Sequence, residues 1–200
     1  MEYATEEQKE RYLPPMAEGK EIWCQLFSEP SAGSDVAGLR SKAVKDGDKW
    51  IINGQKVWTS GAHFSDFGIL VVRHDPNIEK HKGMTFFFVD MKSPGIEVKP
   101  IKQITGGSSF NEVYFTDVEI PDSQRLGEIG DGWKVAITTL MNERLAVGDA
   151  GGADVEDAFR WAKNQDNLGE PLLNNSAARE SIADWYCEKS GLKNTKLRTM

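Results

Sequence analysis

Short runs of β-branched and aromatic residues, each closed by a turn residue, fill positions 22–121, and a helical period takes over after Gly130-Asp131-Gly132. Ahead of the strand-like part, Thr5-Glu6-Glu7-Gln8 has the spacing in which a threonine hydroxyl and a glutamine side chain satisfy each other's free backbone donors, so a helix starts there. Pro14-Pro15 disfavours the α conformation before it and removes two donors, which predicts an end near Leu13. Asp46-Gly47 and Asn53-Gly54 are favoured pairs for two-residue hairpin turns, and they bracket 49–52 between 41–45 and 55–59 as a meander. Further runs at 68–73, 84–89, 96–98, 112–115 and 118–120 bring the total to roughly seven or eight strands at sandwich or barrel spacing. No helix alternates with these strands, which argues against a doubly wound parallel sheet.

After Gly132, with Trp133 as zero and about 100° per residue, Ile137, Leu140, Met141 and Gly148 share one sector and predict a core-facing stripe. A second helix is expected over 154–164. A third runs from 176 to about 190, with Ile182, Trp185 and Tyr186 as its apolar contacts. The expected architecture is α+β and multi-domain. A helical stub over 1–21 precedes an antiparallel β-barrel or sandwich over 22–122, and the opening helices of a bundle occupy 123–200.

Composition narrows the function classes. The 200 residues carry 24 Lys plus Arg against 31 Asp plus Glu, a net charge of −7, and no basic stripe of the kind a phosphate-backbone reader uses. Six Trp and nine Phe supply enough apolar surface for a folded core. No run approaches the roughly 18–20 apolar residues of a membrane span, and the acidic start is unlike a signal peptide, so the expected location is the cytoplasm. Cys24 and Cys187 lie far apart without CxxC spacing and read as reduced core residues. His63, His74 and His81 lack metal-ligand spacing and read as surface or loop residues.

Three segments can carry chemistry. In Phe27-Ser28-Glu29-Pro30-Ser31-Ala32-Gly33-Ser34-Asp35, Gly33 permits close backbone approach and Ser34 offers a hydroxyl, so the turn can cradle an anion or be an ordinary surface turn. Trp58-Thr59-Ser60-Gly61 can supply an aromatic wall and hydroxyls to a planar heterocycle, or Trp58 can be core. Glu143-Arg144 places Arg144 at roughly 20° from Trp133, inside the apolar stripe, where a buried guanidinium needs a carboxylate, a carbonyl or an anionic ligand.

Taken in order, 22–35, Asn53-Gly54-Gln55-Lys56-Val57-Trp58-Thr59-Ser60, Phe115-Thr116-Asp117-Val118 ahead of Pro121, and Gly130-Asp131-Gly132-Trp133 ahead of Glu143-Arg144 resemble the acyl-CoA dehydrogenase family. The resemblance spans essentially the whole chain. It identifies the end of a helical domain, a complete middle β-domain and the start of a C-terminal bundle, so that the chain is a partial one. It implies FAD between β-domain and bundle, oxidation of an acyl-CoA to the trans-2-enoyl-CoA, and electrons passed to an electron-transfer flavoprotein by a homo- or hetero-tetramer. By the same resemblance Phe27 and Ser28 contact the flavin ring, and Ser34 serves the FAD pyrophosphate or the coenzyme A side. Trp58 lies against the flavin with Thr59 beside it, and the Ser60 hydroxyl approaches N5. The α-proton acceptor is either a carboxylate from a segment beyond Met200, matching most members, or Glu143, matching a minority, while Arg144 organises the acyl pocket. An oxygen-using acyl-CoA oxidase and a non-catalytic β-domain within a mixed oligomer are the alternatives.

Overall fold

Helix α1 (Glu6–Ala17) opens on the capping box in the computed structural model, which describes residues 2–147, 154–164 and 171–199. The Gln8 amide donates to Thr5 Oγ1 at 3.2 Å, and the Thr5 amide donates to Gln8 Oε1 at 3.1 Å. The helix does not stop at Leu13. It carries Pro14 and Pro15 and continues to Ala17, with the amides of Glu18 and Lys20 donating to the two proline carbonyls. Proline costs a helix only the bond its own nitrogen would have donated and the clash one turn back. Here the carbonyls left bare belong to the exposed residues Glu10 and Arg11, on the solvent side of the helix.

Eight strands follow: β1 (Trp23–Leu26), β2 (Lys42–Asp46), β3 (Lys49–Ser60), β4 (Phe67–Arg73), β5 (Met84–Asp90), β6 (Ile96–Ile101), β7 (Phe110–Pro121) and β8 (Arg125–Leu126). They form one sheet in the order β6-β7-β3-β2-β4-β5-β8, with β1 added on β4. The α+β class is as expected, yet the sheet is mixed and its two end strands do not pair to close it. β1 runs parallel to β4, and Lys42 of β2 bridges Arg73 in parallel. Strands 4 and 5 are buried on both faces, which is why they read as continuous apolar runs rather than as an alternation.

One core lies where β3 and β7 cover β4 and β5: Trp50, Ile52, Val113, Phe115, Val118 and Ile120 meet Leu70, Val72, Phe87 and Val89. The other packs Tyr12 of α1, Phe27, Leu39 and the start of α2 (Gly132–Val147) against Val71, Phe86 and Phe88. Gly132 makes the α2 contact possible. A Cβ there would sit 2.6 Å from the backbone of Met84 and Thr85.

Asp46-Gly47 makes the expected turn, with Gly47 at φ +63° and Asp46 opposite Lys49. Asn53-Gly54 does not. Strand β3 runs straight through it, and the irregularity is a bulge in β7: Ile52 opposes Val118 and Gly54 opposes Phe115, so two β3 steps are matched by three on β7. Asn53 Nδ2 donates to Asp117 Oδ1 and the Asp117 amide donates to Asn53 Oδ1, both at 2.9 Å, with Asp117 at φ +49°. The bulge switches which residues face inward, from Val113 and Phe115 to Val118 and Ile120. The glycine is required by closeness, because a Cβ on Gly54 would lie 2.2 Å from Ser41 Oγ.

The predicted α2 stripe is displaced. Val135 and Ala136 are the buried residues, with Trp133 and Leu140 partly covered, whereas Ile137 and Met141 are exposed and Gly148 lies outside the described residues. The close approach at Gly132 fixes the rotation of the helix about its axis, and this overrides the apolar periodicity.

Two compact units divide the chain, 1–140 and 141–200. In the second, α3 (Val155–Asn164) lies against α4 (Ser176–Thr199), and Lys189 of α4 pairs with Asp154 and Glu156. Trp185, Tyr186 and Cys187 are exposed rather than core, since α3 and the turn at Leu172–Asn174 cover only one seam of the long helix. Cys24 is buried as expected. Among the described residues no helix is long and apolar enough to cross a membrane.

Candidate functional site

The end of β1 leads into Phe27-Ser28-Glu29, and this segment lies beside the last third of β3. The Val57 amide donates to the Ser28 carbonyl at 2.9 Å, and Lys56 Nζ donates to the Phe27 carbonyl at 3.1 Å. Phe27 itself turns inward, 3% exposed, with its ring edge-on to Phe86 at 5.5 Å, so the segment can present only its backbone outward at that position. Ser28 is half-buried, and among the described residues its hydroxyl has no partner.

A second bulge, this one in β3, shapes the neighbouring edge. Lys56 opposes Val113 and Thr59 opposes Asn111, so three β3 steps are matched by two on β7. Trp58 takes up the extra residue at φ +61°, a conformation that costs a non-glycine residue about 1–3 kcal/mol. The result is a large apolar side chain that is 61% exposed, held edge-on to Phe110 at 6.3 Å. Trp58 is therefore displayed on the surface and not packed in the core.

Thr59 points back into the protein, and its carbonyl accepts from Asn111 Nδ2 at 2.9 Å. Its Oγ1 is buried without a partner among the described residues. Ser60 is exposed, and its hydroxyl likewise has no partner among them. The structure thus lays Phe27 and Ser28 against β3 at Lys56 and Val57, the residues that immediately precede Trp58, Thr59 and Ser60 in that strand. Ser34 sits apart from those hydrogen bonds, in the exposed turn beyond the Glu29–Ala32 bridge.

Glu143 and Arg144 lie on the last turns of α2, in the second unit, and both are exposed. Arg144 Nη1 rests 3.8 Å from Met141 Sδ. The expectation that Arg144 occupies an apolar stripe and demands an anionic partner is corrected by the rotation of α2. An exposed guanidinium is solvated and carries no such demand. Met200, beyond which the alternative proton acceptor is expected, lies outside the described residues.

The sequence reading missed the pair beneath this edge. Lys56 is fully buried, and its Nζ lies 2.8 Å from Glu29 Oε1. The Glu29 carboxylate also accepts the amides of Arg40 (2.6 Å) and Ser41 (3.0 Å), closing the loop between them. Burial pushes the Lys56 ammonium down to about 8, against the opposing pull of Glu29. Burial alone would raise the Glu29 carboxyl, but Lys56, together with hydrogen bonds from the Arg40 backbone and from Ser41, holds it below the usual carboxylate range. The legible signal was parity: Lys56 occupies a strand position that faces inward, an unlikely place for a charge without a partner.

These features fit a planar, hydrogen-bonding cofactor. An exposed indole, two unpartnered hydroxyls and a backbone segment with an inward-turned side chain form a surface that can stack against and hydrogen-bond to a ring system. Residues 24–118 match the acyl-CoA dehydrogenase middle domain, and residues 130–200 match the acyl-CoA dehydrogenase C-terminal domain. The chain belongs to the acyl-CoA dehydrogenase family. It is 47% identical to acyl-CoA dehydrogenase FadE34 of Mycobacterium tuberculosis over 86% of its length, covering 26% of that protein. It is 37% identical to acyl-CoA dehydrogenase IpdE1 of Mycolicibacterium smegmatis over 100% of its length, covering 53% of that one. Among solved structures, a variant of the Tcur3481-Tcur3483 steroid ACAD superposes with a TM-score of 0.89 at 34% identity, over 99% of this chain and 51% of its own. The chain spans about half or less of each of these proteins.

Proposed function

We propose that this chain forms the flavin-facing part of an FAD-dependent acyl-CoA dehydrogenase that converts an acyl-CoA to its trans-2-enoyl-CoA and hands the electrons to an electron-transfer flavoprotein. In this reading residues 22–122 are the middle domain that receives the cofactor. The observation that carries it is the β3 bulge that displays Trp58 beside the Phe27–Ser28 backbone. FAD, when bound, supplies the two-electron acceptor for the β-hydrogen. The chain's own residues position and polarise. Trp58 forms the stacking wall, and the Ser28 and Ser60 hydroxyls are donors to ring heteroatoms. Ser34 serves the phosphate or coenzyme A side of the cleft, and Thr59 anchors the strand end through Asn111. Arg144 is assigned to the acyl side. The carboxylate that accepts the α-proton is Glu143 or one supplied by a segment beyond Met200.

The relative named a steroid ACAD makes a bulky polycyclic thioester the first substrate class to try. That name joins two designations, which favours the hetero-oligomer of the two assemblies the resemblance allows. The test is to add FAD and then a panel of straight-chain, branched and steroid acyl-CoA thioesters under anaerobic conditions, following flavin bleaching. Bleaching with at least one thioester supports the reading. Protein that retains no flavin and leaves the FAD spectrum unchanged sinks it and favours the non-catalytic alternative. Peroxide in place of artificial-acceptor reduction, measured in air, moves the assignment to an oxidase.

A further inference from the structure

Lys56 is completely removed from solvent, and it lies two residues from the displayed Trp58. A lysine at such a place is costly, since burying an ammonium is repaid only by close, well-formed partners. Its partners are specific. One donation goes to the carbonyl of Phe27 and another to the carboxylate of Glu29, so that one cation holds both sides of Ser28. Glu29 then gathers the amides of Arg40 and Ser41, tying the far end of the 30–39 loop to the same point. Between these contacts runs the Val57 amide to Ser28 carbonyl bond.

We propose that Lys56 and Glu29 are positioning residues for the flavin site: buried and touching no cofactor, they lock the Phe27–Ser28 backbone against β3 and so set the spacing between Ser28 and the Trp58–Ser60 edge. This inference rests on the flavin reading given above. An apolar pair of equal volume would fill the space, and buried ion pairs replaced in that way often leave stability unchanged. It would leave the Phe27 carbonyl without its donor and release the backbone that the pair holds. The function of the pair is therefore geometry, and it is separable from stability.

The test compares the protein with its Lys56→Met/Glu29→Gln variant by thermal melting, hydrogen exchange at the Val57 amide and FAD affinity from quenching of flavin fluorescence. A melting temperature within about 5 °C of the parent, Val57 exchange faster by about tenfold or more, and FAD affinity weaker by about tenfold or more are expected. Exchange within about twofold of the parent overturns the proposal whatever FAD does. Faster exchange with unchanged FAD affinity overturns the link to the flavin site. If the parent itself binds no FAD, the flavin reading fails, and Val57 exchange alone decides whether the pair holds the edge. If the double variant does not fold, Lys56→Met is judged by the same two readouts, because it removes the donor to the Phe27 carbonyl while Glu29 keeps the amides of Arg40 and Ser41.

Discussion

Replacing Gly54 with alanine probes the close approach of Ser41 to β3 opposite the β7 bulge. A Cβ at this position would lie 2.2 Å from Ser41 Oγ, 2.5 Å from Ser41 Cβ and 2.7 Å from Ser41 Cα, and the residue holds φ +153°. Ser41 is buried and its amide is bound to Glu29, so its backbone cannot retreat freely. Forcing a methyl into a packed site costs about 1–3 kcal/mol, and a sparsely allowed backbone angle adds about 1–3 kcal/mol. At about 2–4 °C per kcal/mol for a chain of this size, the sum predicts a fall in melting temperature of about 5–20 °C. The control is Gly47→Ala. Gly47 has φ +63° with nothing within 4 Å of an added Cβ. That change costs only the left-handed conformation, about 1–2 kcal/mol. Circular dichroism melts of the two variants, backed by urea midpoints at unchanged m-value, separate the steric cost from the conformational one. If Gly54→Ala melts as high as Gly47→Ala, the close approach of Ser41 to β3 is wrong.

Trp58→Gly removes the strain of φ +61° at the cost of one edge contact with Phe110, so the variant should melt no lower than the parent while losing FAD affinity; a clear loss of stability would contradict the view that the residue is displayed at a cost. Native protein should take up one equivalent of a thiol reagent rapidly at pH 8, at exposed Cys187, because burial both shields Cys24 and pushes its thiol up to about 11; two equally fast thiols would refute this. Asp122 is held down to about 2, chiefly by its bond with Arg125 and also by Trp50 Nε1. A lowered carboxyl pKa contributes stability that is present above the unfolded value near 4 and is lost as pH falls toward 2. The parent should therefore lose more stability than Asp122→Asn between pH 5 and pH 2, and parallel acid-stability curves would exclude the ion pair as a cause. Glu143→Gln in the assembled enzyme should abolish thioester-dependent flavin bleaching with FAD still bound if Glu143 is the proton acceptor; turnover close to the parent assigns that role to a later carboxylate.

Local chemistry was legible where a few neighbouring residues decide the outcome. The Thr5 capping box, the Asp46-Gly47 turn and the apolar run of β5 depend on nothing distant. Asn53-Gly54 shows the limit: the same dipeptide serves a hairpin turn or a strand facing a bulge, and pairing with Asp117 of the bulged strand, 64 positions away, selects the second. The rotation of α2 could not be read from its own periodicity, because it is set by contact of Gly132 with the backbone of β5. That displacement carried Arg144 out of its expected stripe. Pro14-Pro15 misled in the opposite way, since an exposed helix end tolerates donors missing on the water side. At the site, the residue types at Phe27, Ser28 and Trp58–Ser60 were visible in sequence, but the contacts of Phe27 and Ser28 with Lys56 and Val57 are long-range and follow no local pattern.

In the proposed function the Trp58 indole and the Ser28 and Ser60 hydroxyls meet one flavin ring. Nitrogen-labelled protein titrated with FAD tests it directly, with the Trp58 indole signal assigned through Trp58→Phe. The account predicts that the Trp58 indole and the amides of Ser28 and Ser60 shift together with a single affinity, while the indole of buried Trp50 stays still. Binding that moves none of those three signals, or moves them with separate affinities, would contradict it.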